Sequence, residues 1–319
     1  LYSRGENPLL RGKLYKKMMQ LRENIEYRLV SFLLWGAKIM SENMLYGLFR
    51  RVFLVFFYLG KRRREITVRN LSLAFPEKNS DEISSLAKES YISLSRTTAE
   101  IVMMLSGKLE KPDSMIANAD EVVEKLKRIT AARKDGQGII FLTAHFGNWE
   151  LGANFMAFRG FPLLVVGRKG NNRLIEEKFT KKLREGYGNQ SIGKAKAMIQ
   201  MAKALKKGLS VGILIDQKAG KRNSVMVDFF GMKAETTLAV ANLKRKFDPL
   251  VIPVFCAREG DGKYRIIVME AVETVCGETE EQKCLELMTR QYNAAIEKII
   301  MQHPSQWFWM HNRWRIVPK

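Results

Sequence analysis

The chain has 319 residues, 46% of them hydrophobic, with 54 Lys+Arg against 33 Asp+Glu for a net charge of +21. That apolar content excludes a disordered tail and provides for a substantial core in one large or two ordinary domains. The charge favours polyanionic partners (nucleic acid, an anionic membrane face, acidic substrates or carriers) and says nothing about fold.

Residues 1–60 stand apart from the rest. The polar, basic opening leads into no small-residue cleavage site, so a cleavable signal peptide is not expected. Two apolar runs follow, "LVSFLLWGAK" and "VFLVFFYLG", separated by Lys38, Glu42, Arg50 and Arg51 and closed by Lys61–Arg64. Neither reaches the ~18–20 apolar residues that cross a bilayer. Apolar and aromatic groups interleaved with cations predict an interfacial, membrane-associated helical segment. A pair of core helices with basic ends, or a tilted span over residues 29–48, are the alternatives. The remainder, residues 61–319, is expected to be one catalytic domain.

From Asn70 the pattern is that of an ordinary folded domain. Asn79 and Glu82 form a capping pair, and Ile83, Leu86, Leu94, Ile101 and Leu105 follow at helical spacing. Strands are predicted over 138–144, 162–168, 209–216, 223–229, 249–257 and 263–271. Helices are predicted over 148–158, 172–187, 195–207, 236–246 and 280–302, the last opened by a capping box from Thr279 to Gln282. The alternation predicts an α/β fold with a mixed, mostly parallel central sheet flanked by helices. A "GDG" turn joins the last two strands as a hairpin. Cys256, Cys276 and Cys284 are an odd set without CxxC spacing, so neither a disulfide framework nor a zinc site is expected, and a reducing compartment fits.

The segment "FLTAHFGNWEL", 141–151, places one of only three histidines at the carboxyl end of an apolar strand. Reactive groups collect at that edge of open α/β sheets. Gly147 permits a tight turn, Asn148 is suited to cap the following helix, and Glu150 falls in its first turn. A carboxylate accepting from one imidazole nitrogen fixes the tautomer and raises basicity at the other. His145 and Glu150 are therefore a candidate base and orienting partner. A structural histidine is the alternative reading of the spacing alone. No nucleophile adjoins it, so direct transfer without a covalent intermediate is expected. Glu100, on an otherwise apolar helical face, is a candidate to reach the same site. "GLSVG", 208–212, imitates a nucleophile elbow, but the helix precedes Ser210 and the strand follows, the reverse of what that motif needs. His303 and His311 adjoin no carboxylate at useful spacing. The C-terminal "QWFWMHNRW" suits either a lipid–water boundary or a packed tail.

"HFGNWE" resembles the H-x4-D/E block of glycerolipid and lysophospholipid acyltransferases. "LLVVGRK", "GILIDQK" and "LVIPVF" follow in that family's order. "NLSLAFPE", "DFFGMKAETT" and the aromatic tail resemble the late acyltransferases of lipid A biosynthesis in particular. The resemblance spans about 70–315 together with the basic, apolar N-terminus. It implies transfer of a fatty acyl group from acyl carrier protein to a hydroxyl of an anionic lipid A precursor, at the cytoplasmic face of the bacterial inner membrane. It assigns His145 as general base with Glu150 beside it. Arg168 is implied to hold a phosphate or sugar of the acceptor, with Asp216, Gln217 and Asn148 forming the substrate site. No cofactor beyond the acyl-carrier co-substrate is implied, and no nucleic acid. The rival readings are the same chemistry on a lysophospholipid or glycolipid and, from another class, a basic nucleic-acid-binding protein. The latter predicts exposed aromatics interleaved with cations.

Overall fold

A computed structural model describes residues 8–167, 170–220, 223–260, 262–273 and 280–314, with side chains from residue 17 onward. The N-terminal third is helical: α1 (Pro8–Ile39), α2 (Glu42–Leu59), α3 (Lys61–Ala74) and α4 (Ser80–Ser106). Ser41 interrupts the first pair, its hydroxyl accepting from the Met44 N–H. The break removes any continuous span over 29–48, and no described helix is long and apolar enough to cross a membrane. Gly60 separates α2 from α3. The first helices are not detached from the body, because Leu45 and Phe57 are buried and α2 lies along α4. The capping box of α4 forms as read: Asn79 Oδ1 accepts from Asp81 and Glu82, and Glu82 accepts from the Asn79 N–H.

Helix α5 (Ala119–Ala131) leads into the sheet region, which runs β1 (Ile139–Thr143), α6 (Trp149–Phe158), β2 (Leu163–Gly167), α7 (Arg173–Ile175), a π turn over Glu176–Thr180, and α8 (Lys181–Glu185). It continues with β3 (Gln190–Gly193), α9 (Ala197–Lys206), β4 (Ser210–Leu214), β5 (Ser224–Phe229), β6 (Met232–Thr237), α10 (Ala239–Phe247), β7 (Leu250–Arg258), β8 (Tyr264–Val268) and α11 (Glu281–Gln302). Six strands make the central sheet in the order β3-β2-β4-β1-β7-β8, parallel except for the antiparallel β8. The expected mixed, mostly parallel α/β architecture is thus the observed one.

Four details differ from expectation. The strand read at 223–229 does not join the central sheet; β5 pairs with β6 as a separate two-stranded ribbon. β6 takes Thr236 and Thr237, so α10 starts at Ala239 rather than 236. β3 is four residues of Gln, Ser, Ile and Gly, too polar and short to be read as a strand, and edge pairing alone makes it one. Cys284 is disulfide-bonded, contrary to the expectation of no disulfide framework; Thr279 and Asp261 lie outside the described residues.

β1 is central, so its apolar run is continuous rather than alternating, as burial on both faces requires. The pleat still sorts it. Ile140 and Leu142 enter one core layer with α9, α10 and α11, while Ile139 and Phe141 enter the other with α5 and α6. Phe141, Thr143 and His145 therefore share the face covered by α6.

The "NLSLAFPE" segment has a structural reason. Asn70 is buried, and its amide nitrogen donates to the carbonyls of both Trp309 and His311 at 2.8 Å. One side chain of α3 so clamps the aromatic C-terminal segment. Asn70→Leu leaves those acceptors unpaired, at about 1–3 kcal/mol each when buried. A drop in thermal midpoint, with Trp fluorescence of the tail moving before global unfolding, is the expected result of melting the variant.

Candidate functional site

β1 and β4 are parallel neighbours with Thr143 opposite Leu214. Two residues further on, the same register sets His145 opposite Asp216. Both positions keep the parity of the cavity-facing side chains, so the pairing follows from strand order and register. His145 Nδ1 lies 2.9 Å from Asp216 Oδ1, and the His145 backbone N–H donates to Oδ2 at 3.0 Å. The indole Nε1 of Trp307 donates to Oδ2 at 2.9 Å. The carboxylate is 1% exposed and holds three donors.

Burial alone would lower the pKa of His145, but the charge and hydrogen bond of Asp216 outweigh it, and Glu150 adds to them, so the value rises above 6.5. Burial would raise Asp216, but His145 and the Trp307 indole hold it below the ordinary carboxylate value. The other two histidines move the opposite way. Burial lowers His303, and it takes His311 down to about 4.

Glu150 does not occupy the place expected of it. The imidazole nitrogen it was to accept from is taken by Asp216, and its own carboxylate accepts from Arg184, with Nη2 at 3.0 Å and Nε at 3.3 and 3.4 Å. Gly167 makes room for that guanidinium: a Cβ there would sit 2.3 Å from Nη1. Glu150 and Arg184 both border the cavity below His145, so Glu150 acts on the imidazole through its field rather than by contact.

The turn between His145 and α6 is locked from three sides. Gly147 has φ +54, and a Cβ at that position would meet the Cys256 carbonyl at 1.8 Å. The C-terminal segment runs beside it, with Gly147 N–H donating to Gln306 O and Phe308 N–H to His145 O. Asn148 caps α6, accepting from the Leu151 N–H, and its amide donates to Glu100 Oε2 at 2.9 Å.

Glu100 and Asn148 were both expected to touch substrate. Instead each is completely buried. The Glu100 carboxylate is engaged by Arg258, by the Tyr264 hydroxyl at 2.6 Å and by the Tyr46 hydroxyl at 3.1 Å. Its contacts reach the site only through the amide of Asn148. Gln217 does border the cavity, immediately after Asp216. Arg168 directly follows β2 and lies outside the described residues.

The cavity has a volume of about 940 Å³. Phe141, Met156, Leu163, Val165, Met201 and Ile266 furnish much of its wall, while His145, Glu150, Arg184, Lys194, Gln217 and Lys218 bring polar groups to it. An apolar hole with few convergent polar groups is the form of a small-molecule or lipid site. Ser210 stands at the opposite end of β4 from Asp216, which removes it from this chemistry. Trp307, Trp309 and Trp314 are buried, so the aromatic tail is packed rather than laid at a lipid boundary. Arg313 is buried with them and donates to Glu235 O and Thr236 Oγ1.

Sequence reasoning missed Arg184 and Trp307 as site residues. Arg184 sits in "KKLREGYG", where spacing reads as a solvated cationic face, and nothing local distinguishes it. Trp307 was singled out only as part of an aromatic cluster.

Comparison with known proteins places the chain in a family. The family model described as bacterial lipid A biosynthesis acyltransferase matches residues 13–316. The chain is 31% identical over 261 residues to the lipid A biosynthesis lauroyltransferase of Escherichia coli K12, covering 81% of each chain. It is 29% identical to the palmitoleoyltransferase of the same strain, over 81% of this chain and 80% of the relative. It is 22% identical to the myristoyltransferase of that strain, over 79% and 75%. With its fold, its strand-end histidine and a match over nearly its whole length, the chain belongs to the bacterial lipid A biosynthesis acyltransferase family and is an O-acyltransferase.

Proposed function

We propose that this protein transfers a fatty acyl group from acyl carrier protein to a hydroxyl of a lipid A precursor, with His145 as general base and no covalent enzyme intermediate. The observation that carries the reading is the His145–Asp216 pair at the edge of the apolar cavity. Asp216 accepts from Nδ1–H, leaving Nε2 with its lone pair free. Nε2 takes the acceptor hydroxyl's proton as the oxygen attacks the thioester carbonyl. The tetrahedral intermediate expels the thiolate, which recovers the proton from the imidazolium. Two carboxylates, Asp216 in contact and Glu150 through space, stabilise that imidazolium. Arg184 holds the Glu150 carboxylate in place by hydrogen bonds, and its guanidinium adds a cation to the cavity wall. On the resemblance, Arg168 holds a phosphate of the acceptor, since a guanidinium can donate two parallel hydrogen bonds to it. The basic surface suits both an acidic carrier protein and an anionic lipid.

The same reading sets the enzyme on the cytoplasmic face of the bacterial inner membrane. Its support is an apolar surface on the first two helices: Phe32 and Leu33 are each 67% exposed, Trp35 60%, Ile39 70% and Leu59 79%. Lys61, Arg62 and Arg63 are exposed beside it. Interfacial helices combine such a face with cations for lipid phosphate.

With acyl-acyl carrier protein and a lipid A precursor as substrates, His145→Ala is expected to lose about 10²–10⁴ in kcat, the usual worth of a general base. A folded variant with full activity removes the assignment. Because the base must be neutral, the acid limb of kcat/KM should have its midpoint above 6.5, the direction of the His145 shift. Asp216→Asn removes the opposing charge and leaves burial, so its residual activity should titrate at lower pH. An unmoved limb would show that another group sets it.

Replacing Phe32 and Trp35 together by Glu should reduce co-sedimentation with anionic vesicles while leaving the melting temperature near that of the parent. Unchanged sedimentation would place the lipid contact elsewhere.

A further inference from the structure

Among the groups of the cavity wall that the reaction just described does not use, one is a buried, unpaired amide. Asn154 lies in α6, is 1% exposed and borders the cavity. Neither its Oδ1 nor its Nδ2 has a hydrogen-bond partner, although both atoms are buried. Another asparagine of this wall, Asn189, differs: its Oδ1 accepts from the Leu163 N–H at 2.8 Å and its Nδ2 donates to Ala153 O at 3.0 Å. A buried amide with both ends unpaired is disfavoured by the equivalent of about 5- to 150-fold in an equilibrium. Such groups in native proteins call for an explanation, a missing partner being the first.

The position of Asn154 says where that partner lies. It follows Glu150 by four residues, so the two side chains share a helix face. At a rise of about 1.5 Å per residue, Asn154 is about 6 Å further along α6 than the carboxylate beside the reacting end. The same wall includes Met156, Leu163 and Val165, which suit an alkyl chain. A single partner that serves both atoms must donate to Oδ1 and accept from Nδ2. A carbonyl satisfies only the second need and an ammonium only the first, whereas a hydroxyl satisfies both.

We propose that Asn154 is a specificity-determining residue that hydrogen-bonds a hydroxyl borne by the fatty acyl chain in the cavity, so that the preferred donor is a hydroxyacyl rather than an unsubstituted acyl group. This deepens the acyl-transfer reading and rests on it for the word donor. The recognition is of the kind that discriminates strongly, because an analogue lacking the hydroxyl leaves the buried amide unpaired again.

The test uses the full chain in detergent and needs no turnover. Binding of an unsubstituted fatty acid is measured by calorimetry against a positional series of its monohydroxy isomers, for the parent and for Asn154→Leu. At least one isomer should bind the parent about tenfold or more tightly than the unsubstituted acid, and Asn154→Leu should bind the two alike. If no isomer is preferred, ordered water fills the role and the proposal falls; it falls equally if the preference survives in Asn154→Leu. The parent's isomer series decides the matter even if the variant does not fold. Paired hydroxyacyl and unsubstituted acyl-carrier donors then give the transfer rates. Failure to transfer either one counts against the acyl-transfer function and leaves the binding result to judge Asn154.

Discussion

The interaction on which the site depends is one buried carboxylate with three donors. Asp216 draws its partners from the β1 edge, through the backbone and ring of His145, and from the C-terminal segment, through the Trp307 indole. An isolated carboxylate at that depth would take up a proton rather than stay charged. The three hydrogen bonds and the adjacent imidazole hold it ionised. The arrangement also fixes the tautomer, because an ionised carboxylate can only accept and so directs the proton to Nδ1. The final residues of the chain are therefore part of the site's electrostatics, which gives the Asn70 clamp on Trp309 and His311 a consequence beyond stability.

A second buried charge supports the first from behind. Glu100 and Arg258 form an ion pair in which both side chains are almost wholly excluded from water. Pairs of this kind bring little net stability, because desolvation offsets attraction, and breaking one by removing a partner is costly. Here the pair fixes geometry. Tyr46 from α2, Tyr264 from β8 and the Asn148 cap of α6 converge on one carboxylate, tying the first helices, the sheet edge and the active-site turn together. The same hydrogen bond that satisfies Glu100 aims the N-terminus of α6, and with it Glu150, at the cavity.

Much of this was legible in the sequence where the signal is local. The apolar run ending in His145, the Asn79–Glu82 capping box and the β7–β8 hairpin depend on neighbours a few residues away. What could not be read depends on which strands become adjacent. β4 follows β1 by nearly seventy positions yet lies beside it, and only that adjacency delivers Asp216 to the imidazole. From spacing alone Glu150 was the nearer candidate. Arg184 was hidden for the same reason: its partner lies on another helix, and its own helix carries cations that look like solvated surface. β5 has the composition of a core strand, and its pairing with β6 apart from the central sheet is a tertiary outcome.

The spacing of His145 and Glu150 nonetheless has a physical role. Two carboxylates cannot both accept from one Nδ1–H, and two uncompensated negative charges next to each other in a low-dielectric cavity repel. The structure divides the work. Asp216, buried, takes the hydrogen bond and sets orientation. Glu150, at the cavity wall, is neutralised in part by Arg184, yet still raises the proton affinity of the imidazole. Lys194 pulls the other way. Around neutral His145 the carboxylates of Asp216 and Glu150 face the cations of Arg184 and Lys194. As His145 becomes cationic, the two carboxylates already in place stabilise it without reorganising, which is the preorganised form of electrostatic catalysis. A carboxylate held off the imidazole and pinned by an arginine is therefore a better use of the fifth position than a second hydrogen bond would be.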